Sequence, residues 1–364
     1  MSAAGAITVM ITTGGTGGHV FPGLAVAAKL VARGARVFWL GTREGIESKL
    51  VPQHGVEFEG ISFRGVRGKG LKTLLFGRYA LAAACLAARS IMRRRTPDVV
   101  LGFGGFASFP GGLMGTAAGK ALVLHDSNAV AGLATRVLAH GADRILLGFP
   151  QALRGRHRKI VEWVGNPLRD AICGLPPPAA RFAGRDGPLR LLVVGGSLGA
   201  QALNEVVPAA LARIAPESRP QVVHQAGEKH IGALREAYAR HAVDAECVAF
   251  IDDMAARYAW ADFAICRGGA LTVSELAAVG LGALVVPLPG AIADEQTANA
   301  QFLVDAQGAW SEPQGMLTAE RLAERLCSLD RERALAMAQA AYALGKRDAA
   351  ARVAVVCLSF GGRT

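Results

Sequence analysis

The sequence predicts an α/β protein with two doubly wound parallel sheets, one in each half of the chain. Three observations carry this. A β-branched apolar run, a glycine-dense turn and an Ala/Leu/Val segment of helical period open the chain, and the same succession restarts at Leu189. Between these points short apolar strands alternate with helical patterns, as parallel sheets covered on both faces require. At 364 residues there is room for two domains of ordinary size, each with its own core.

In chain order, Ile7, Val9 and Ile11 run to Thr12-Thr13, and Gly14-Gly15-Thr16-Gly17-Gly18 follows. After His19 the pattern turns helical, with Pro22 in the first turn, where its missing N–H costs nothing. Such a junction aims backbone N–H groups and the positive end of a helix at one spot, an anion site built without charged side chains. GxxxxGK is absent, and Val20 stands where GxGxxG needs its third glycine, so the loop points to phosphate and not to NAD. Arg36–Leu40 and Asp98–Leu101 read as strands, the second feeding another glycine-rich turn, Gly102 to Gly112. Ala121–Leu124 is a strand ending at His125-Asp126-Ser127-Asn128, followed by a helix over Val130–Ala139 and strands at Arg144–Leu147 and Val161–Val164.

Gly165-Asn166-Pro167 and Leu175-Pro176-Pro177-Pro178 break the alternation. The expected division is a first domain at 1–165, a linker at 166–188 and a second domain at 189–340. The remaining segment, 341–364, would be a helix packing back on the first domain. In the second domain Leu189–Val194 enters Gly195-Gly196-Ser197-Leu198-Gly199-Ala200 and a helix from Gln201. Gln221–His224 and Glu246–Ile251 are strands, and Asp253 is placed to cap a helix over Met254–Trp260. Asp262–Cys266 leads through Arg267-Gly268-Gly269 into a helix over Leu271–Val279, and Ala283–Pro287 is the last expected strand. Two such sheets would face a cleft at their carboxyl ends, where open α/β sheets bind ligands.

Composition narrows the partners. Residues 1–169 carry 22 Lys and Arg against 8 Asp and Glu, a balance of +14, whereas the remainder of the chain stands at −3. Gly60 to Pro97 holds nine basic residues (Arg64, Arg67, Lys69, Lys72, Arg78, Arg89, Arg93, Arg94 and Arg95) and no acid. Their neighbours are aliphatic, without the aromatics of a single-strand binder or a duplex-recognition motif, so an anionic bilayer surface fits and nucleic acid does not. The 21 uncharged residues Val99–Gly119 contain Pro110 and seven glycines, which argues against a membrane-spanning helix. MSAAGAITVM enters the first strand without a charged-then-apolar leader, so the expected location is cytoplasmic. The six cysteines show no CxxC spacing and read as reduced, structural thiols.

Two glycine loops suggest transfer between two phosphorylated partners. No DxD pair or ligand cluster points to a metal, and no cofactor is implied; helix N-termini and arginines would meet the charge of a departing diphosphate. His19 is the only titratable group of the first loop, and an imidazole with pKa of about 6.5 suits a general base for a hydroxyl. Glu275, one turn into the helix after Arg267-Gly268-Gly269, is placed to accept both hydroxyls of a ribose.

GGTGGHVFPGLAVA, GFGGFASFPGG, LHDSNAVAGLATR, VGNPLR, GGSLGAQALN, HQAGEKH, FIDDMAARYAWADFAICRGGALTVSELAAVG and DEQTANA occur in this order from Gly14 to Ala300. Together they resemble the bacterial family 28 glycosyltransferases of peptidoglycan synthesis. The resemblance implies a GT-B fold, two Rossmann-like domains facing a cleft. It implies inverting transfer of GlcNAc from UDP-GlcNAc to the MurNAc 4-hydroxyl of lipid I, forming lipid II. It further implies that Thr16, Gly17, Gly18, Asn128, Arg169 and Ser197 contact the donor. Ile251 and the run Ala270, Leu271, Thr272, Val273, Ser274 and Glu275 would hold uracil and ribose, and Gln296 would reach the sugar. The aliphatic-basic stretch near Leu71 to Arg95 would dock on the anionic cytoplasmic face of the inner membrane, with cell-wall synthesis and division proteins as further partners. A UDP-GlcNAc 2-epimerase shares the fold, and a non-catalytic, membrane-recruited nucleotide-sugar-binding scaffold is the alternative of another class.

Overall fold

The structure is a computed structural model that describes residues 6–63, 71–153, 160–196 and 199–361. It divides into two compact units: Met1–Arg169 with Arg347–Thr364, and Asp170–Lys346.

In the first unit β1 (Thr8–Thr12), β2 (Arg36–Thr42), β3 (Glu57–Ile61), β4 (Val99–Gly102), β5 (Ala121–Asp126), β6 (Arg144–Leu147) and β7 (Val161–Trp163) form one parallel sheet. Its order is β3-β2-β1-β4-β5-β6-β7. The chain winds outward from β1 through β2 and β3, then returns to lay β4 on the other side of β1, with Val9 opposite both Val37 and Val99. The carboxyl ends of β1 and β4 are therefore the switch point of the sheet, where its first and second glycine loops emerge. Side chains pointing to opposite faces enter two cores, which is why β1 reads as an unbroken apolar run. Val9 and Ile11 join Val20, Leu24 and Trp39; Met10 joins Phe38, Leu40 and the inner side of helix Leu71–Arg95, including Ala84, Ala88, Ile91 and Met92.

The second unit holds β8 (Arg190–Val194), β9 (Gln221–Gln225), β10 (Glu246–Val248), β11 (Phe263–Cys266), β12 (Gly282–Val285) and β13 (Ala309–Ser311). These are again all parallel, in the order β10-β9-β8-β11-β12-β13, with the switch point at β8 and β11.

Several boundaries differ from expectation. β3 and β13 were not anticipated: Glu57–Ile61 alternates polar and apolar residues too weakly, and Ala309–Ser311 is three residues long. The helix expected over Val130–Ala139 is Leu133–Leu138, because the Asp126 carboxylate accepts from Asn128 N (3.2 Å) and Gly132 N (3.0 Å) and holds the intervening chain as a loop. β10 stops at Val248, three residues short of Ile251. The uncharged Val99–Gly119 run is a strand, a loop and helix Ser108–Ala117. Among the described residues no helix is long and apolar enough to cross a membrane.

The stretch 166–188 is not a tether. From Asp170 it belongs to the second unit and contains helices Asp170–Cys173 and Pro178–Phe182. Arg181 is buried, and its guanidinium donates to the carbonyls of Pro176 (3.1 Å), Tyr258 (3.1 Å), Val279 (2.7 Å) and Gly280. It thus closes the carboxyl end of helix Ala270–Val279, where the helix dipole favours a cation. Residues from Arg347 belong to the first unit: helix Ala349–Leu358 puts Val353, Ala354 and Cys357 into the core lined by helix Gly17–Val31. All six cysteines are free thiols.

Candidate active site

In the first unit the site grows from the carboxyl ends of β1 and β4. Thr12 and Thr13 are buried, and their hydroxyls donate to the carbonyls of Ala107 and Gly104, both at 3.3 Å, lacing the two glycine loops together. Gly15 has φ of +109°, a conformation that side chains disfavour. At Gly105 a Cβ would stand 2.7 Å from the Gly14 carbonyl, so the loops touch backbone to backbone. Thr16 gives helix Gly17–Val31 no side-chain cap; its hydroxyl instead pairs with His19 Nδ1 at 3.3 Å. The first amides of that helix are consequently not closed by their N-cap side chain, the arrangement an anion can use.

His19 is half-buried beside Gly104 and Gly105. Burial lowers its pKa from the ordinary 6.5, opposed in part by the Asp126 carboxylate, so the ring is neutral at neutral pH. His125, fully buried, donates from Nε2 to the Gly165 carbonyl at 3.0 Å, and burial takes its pKa down to about 4. Asn128 is half-buried in the loop held by Asp126; Thr16, Gly18 and Arg169 are exposed and Gly17 is half-buried.

Sequence reasoning passed over Glu47. Its buried carboxylate accepts from Thr42 N (2.9 Å), Thr42 Oγ1 (2.7 Å) and Gly15 N (3.4 Å), and a Cβ at Gly14 would stand 2.2 Å from its Oε1. The first loop is thus shaped from beneath by a carboxylate 32 residues downstream.

In the second unit helix Ala270–Val279 begins at Gly269, which has no side chain to cap it. Ala270, Leu271, Thr272 and Ser274 are half-buried around this start, and Val273 points into the core. Glu275, half-buried, accepts from the Tyr258 hydroxyl at 2.9 Å. Ile251 is buried beyond the end of β10, and Asp253 caps helix Met254–Trp260 through Ala256 N at 2.9 Å. Ser197 lies outside the described residues. At Gly199 a Cβ would meet the Ala226 carbonyl at 1.8 Å, and Gln225 Nε2 donates to Gly196 O (3.0 Å) and Ala249 O (3.1 Å). Gln225, also passed over, therefore links the glycine loop after β8 to the segment leading to Ile251.

Gln296, the residue expected to reach the sugar, is half-buried. Its Oε1 accepts from Gly268 N (3.2 Å) and Leu288 N (2.9 Å), tying the loop after β11 to the loop after β12. Arg267 is likewise structural in its contacts, donating to Val286 O (3.1 Å) and Gln314 Oε1 (2.7 Å). Among the described residues no group of three His, Cys, Asp or Glu could hold a metal ion.

Both units match known domains. Residues 9–147 match the glycosyltransferase family 28 N-terminal domain, and residues 190–353 match its C-terminal domain. The chain belongs to glycosyltransferase family 28. Within that family it is 53% identical, over 98% of its length and 95% of the relative's, to the UDP-N-acetylglucosamine--N-acetylmuramyl-(pentapeptide) pyrophosphoryl-undecaprenol N-acetylglucosamine transferase of Paraburkholderia xenovorans. The crystal structure of MurG from Acinetobacter baumannii superposes with a TM-score of 0.85 at 35% identity, covering 97% of this chain and 99% of that one. A UDP-N-acetylglucosamine 2-epimerase superposes at 0.66 with 17% identity, covering 99% of this family 28 chain and 98% of its own, a likeness of fold alone. The expected GT-B pair of Rossmann-like domains is the family's architecture here, seen as the two parallel-sheet units.

Proposed function

We propose that this family 28 enzyme transfers GlcNAc from UDP-GlcNAc to the MurNAc 4-hydroxyl of undecaprenyl-pyrophosphoryl-MurNAc-pentapeptide, lipid I, giving lipid II and UDP. The observation that carries this is identity of 53% running through both units to a transferase named for moving N-acetylglucosamine onto N-acetylmuramyl-(pentapeptide) pyrophosphoryl-undecaprenol. The residues fit the chemistry. With Nδ1–H donated to Thr16 Oγ1, the neutral His19 ring keeps a lone pair on Nε2 for the acceptor hydroxyl proton. The hydroxyl oxygen then bonds to the anomeric carbon from the face opposite UDP, and the C–O bond to the diphosphate breaks with its electron pair leaving on UDP. Amides at the starts of helices Ala270–Val279 and Gln201–Ala212 suit the charge that develops there. Glu275 is read as the ribose partner. Thr16, Gly17, Gly18, Asn128, Arg169, Ser197 and Ile251 are read as further donor contacts, as is Gln296 through its amide nitrogen.

Helix Leu71–Arg95 supports a place of work at a membrane surface. Tyr79 and Leu86 are exposed there at 78% and 65%, with Arg78, Arg89 and Arg93 exposed beside them. Arg94 and Arg95 pair instead with Glu59 and Glu57, so two of the nine counted charges are partly neutralised. Arg64, Arg67, Lys69 and the Lys72 side chain lie outside the described residues. Aliphatic, aromatic and cationic groups on one helix suit a peripheral site on the anionic cytoplasmic face of the inner membrane.

Purified protein is expected to release UDP only when a lipid I analogue is added. His19→Ala should lower kcat by about a hundredfold or more while binding of UDP-GlcNAc persists. Release of an epimerised free sugar without acceptor would overturn the assignment in favour of an epimerase, and unchanged turnover in His19→Ala would remove His19 as the base.

A further inference from the structure

We propose that Tyr258 is a positioning residue for recognition of the nucleotide ribose: its phenol sets the plane of the Glu275 carboxylate. The inference rests on the reading of Glu275 as the ribose partner and adds the group that aims it. Tyr258 is 2% exposed, and its hydroxyl donates to Glu275 Oε2 at 2.9 Å. A carboxylate has about four acceptor positions on two oxygens, and a half-exposed one rotates freely in water. One charge-assisted bond from a buried donor restricts that rotation and sets the direction of the carboxylate.

The donor is itself held. Asp253 caps the start of helix Met254–Trp260. At the other end Arg181 Nη1 donates to the Tyr258 carbonyl at 3.1 Å, and Arg185 Nη1 donates to the carbonyls of Trp260 and Ala261, each at 3.1 Å. The same Arg181 guanidinium reaches Val279 O at 2.7 Å, on the last residue of the helix that carries Glu275. A single planar cation therefore fixes the spacing between the tyrosine helix and the glutamate helix, and the phenol–carboxylate bond spans the gap between their side chains. The buried phenol needs an acceptor, and the one it meets is the carboxylate of Glu275 on another helix. The two-helix clamp and the bond between these side chains together fix the direction in which the carboxylate points.

The test compares UDP-GlcNAc with its 2′,3′-dideoxyuridine analogue as donors, using wild type, Tyr258→Phe, Glu275→Gln and the double variant. Tyr258→Phe removes one oxygen and keeps the ring, and its fold is checked by thermal melting and near-ultraviolet circular dichroism. The expected result is a KM for UDP-GlcNAc raised about tenfold, the size of one hydrogen bond to a charged group, with kcat within about twofold. With the dideoxy donor the same variant should match wild type, and in the double variant the two losses should not add. A loss equal for both donors would make Tyr258 merely structural and overturn the proposal, as would no loss at all while Glu275→Gln loses discrimination. If Glu275→Gln itself discriminates the donors as well as wild type, the ribose reading beneath the proposal fails instead.

Discussion

His125 and His224 illustrate what burial does to a titratable ring. Each is fully enclosed, one in each unit, and burial lowers their pKa values to about 4 and about 3 from the ordinary 6.5. The unfolded chain takes up these protons first, so the stability contributed by a neutral ring is complete above pH 6.5 and is lost as pH falls toward the folded values. For His125 the loss between about pH 7.5 and about pH 5 is about 2 kcal/mol. Urea unfolding at those two pH values should show it, and His125→Gln should shrink the pH-dependent part whatever it does to stability at neutral pH. His19 shares the direction of shift but has a different use, since it lies half-buried against the loop glycines. Residue type and a place at or near a helix start after a glycine loop mark His19 and Glu275 as candidates from the sequence. Glu47, Gln225 and Tyr258 were illegible. Each acts through a contact 17 to 32 residues away in sequence, and nothing in its own neighbourhood marks it.

At the level of elements, glycine, proline and β-branched residues marked most strands and helix starts, and they misled where tertiary contacts override local chemistry. Prolines 176 to 178 read as a stiff tether, yet they deliver Arg181 to four backbone carbonyls. Burial lowers the pKa of that guanidinium to about 10, so it remains charged at neutral pH. Arg181→Ala would leave these buried carbonyls without a donor and remove the cation at the end of helix Ala270–Val279. The expected cost is about 2–4 kcal/mol in urea unfolding, with Arg181→Lys recovering part of it, because an ammonium cannot reach all four acceptors. An unchanged midpoint in Arg181→Ala would show that the segment is as dispensable as a linker.

For the whole molecule, the chain leaves the first unit at Arg169 and returns to it at Arg347. Val353, Ala354, Cys357 and Phe360 all enter the first unit's core. Removing residues 347–364 should therefore destabilise the amino-terminal sheet by about 5 kcal/mol or more, taking about 1.5–3 kcal/mol for each large buried side chain. Hydrogen exchange would report it as lost protection in β1, β2 and helix Gly17–Val31, with β8, β9 and β11 still protected. Equal loss in both sheets would contradict the division into units. The sequence alone determined the class, the two parallel sheets, the glycine loops and the family, because these follow from local signals: side-chain period, glycine density and motifs read in order. Only the tertiary structure decided which strands meet at each switch point and which buried side chains shape the loops. Those depend on contacts between residues far apart in the chain, which no short window of sequence contains.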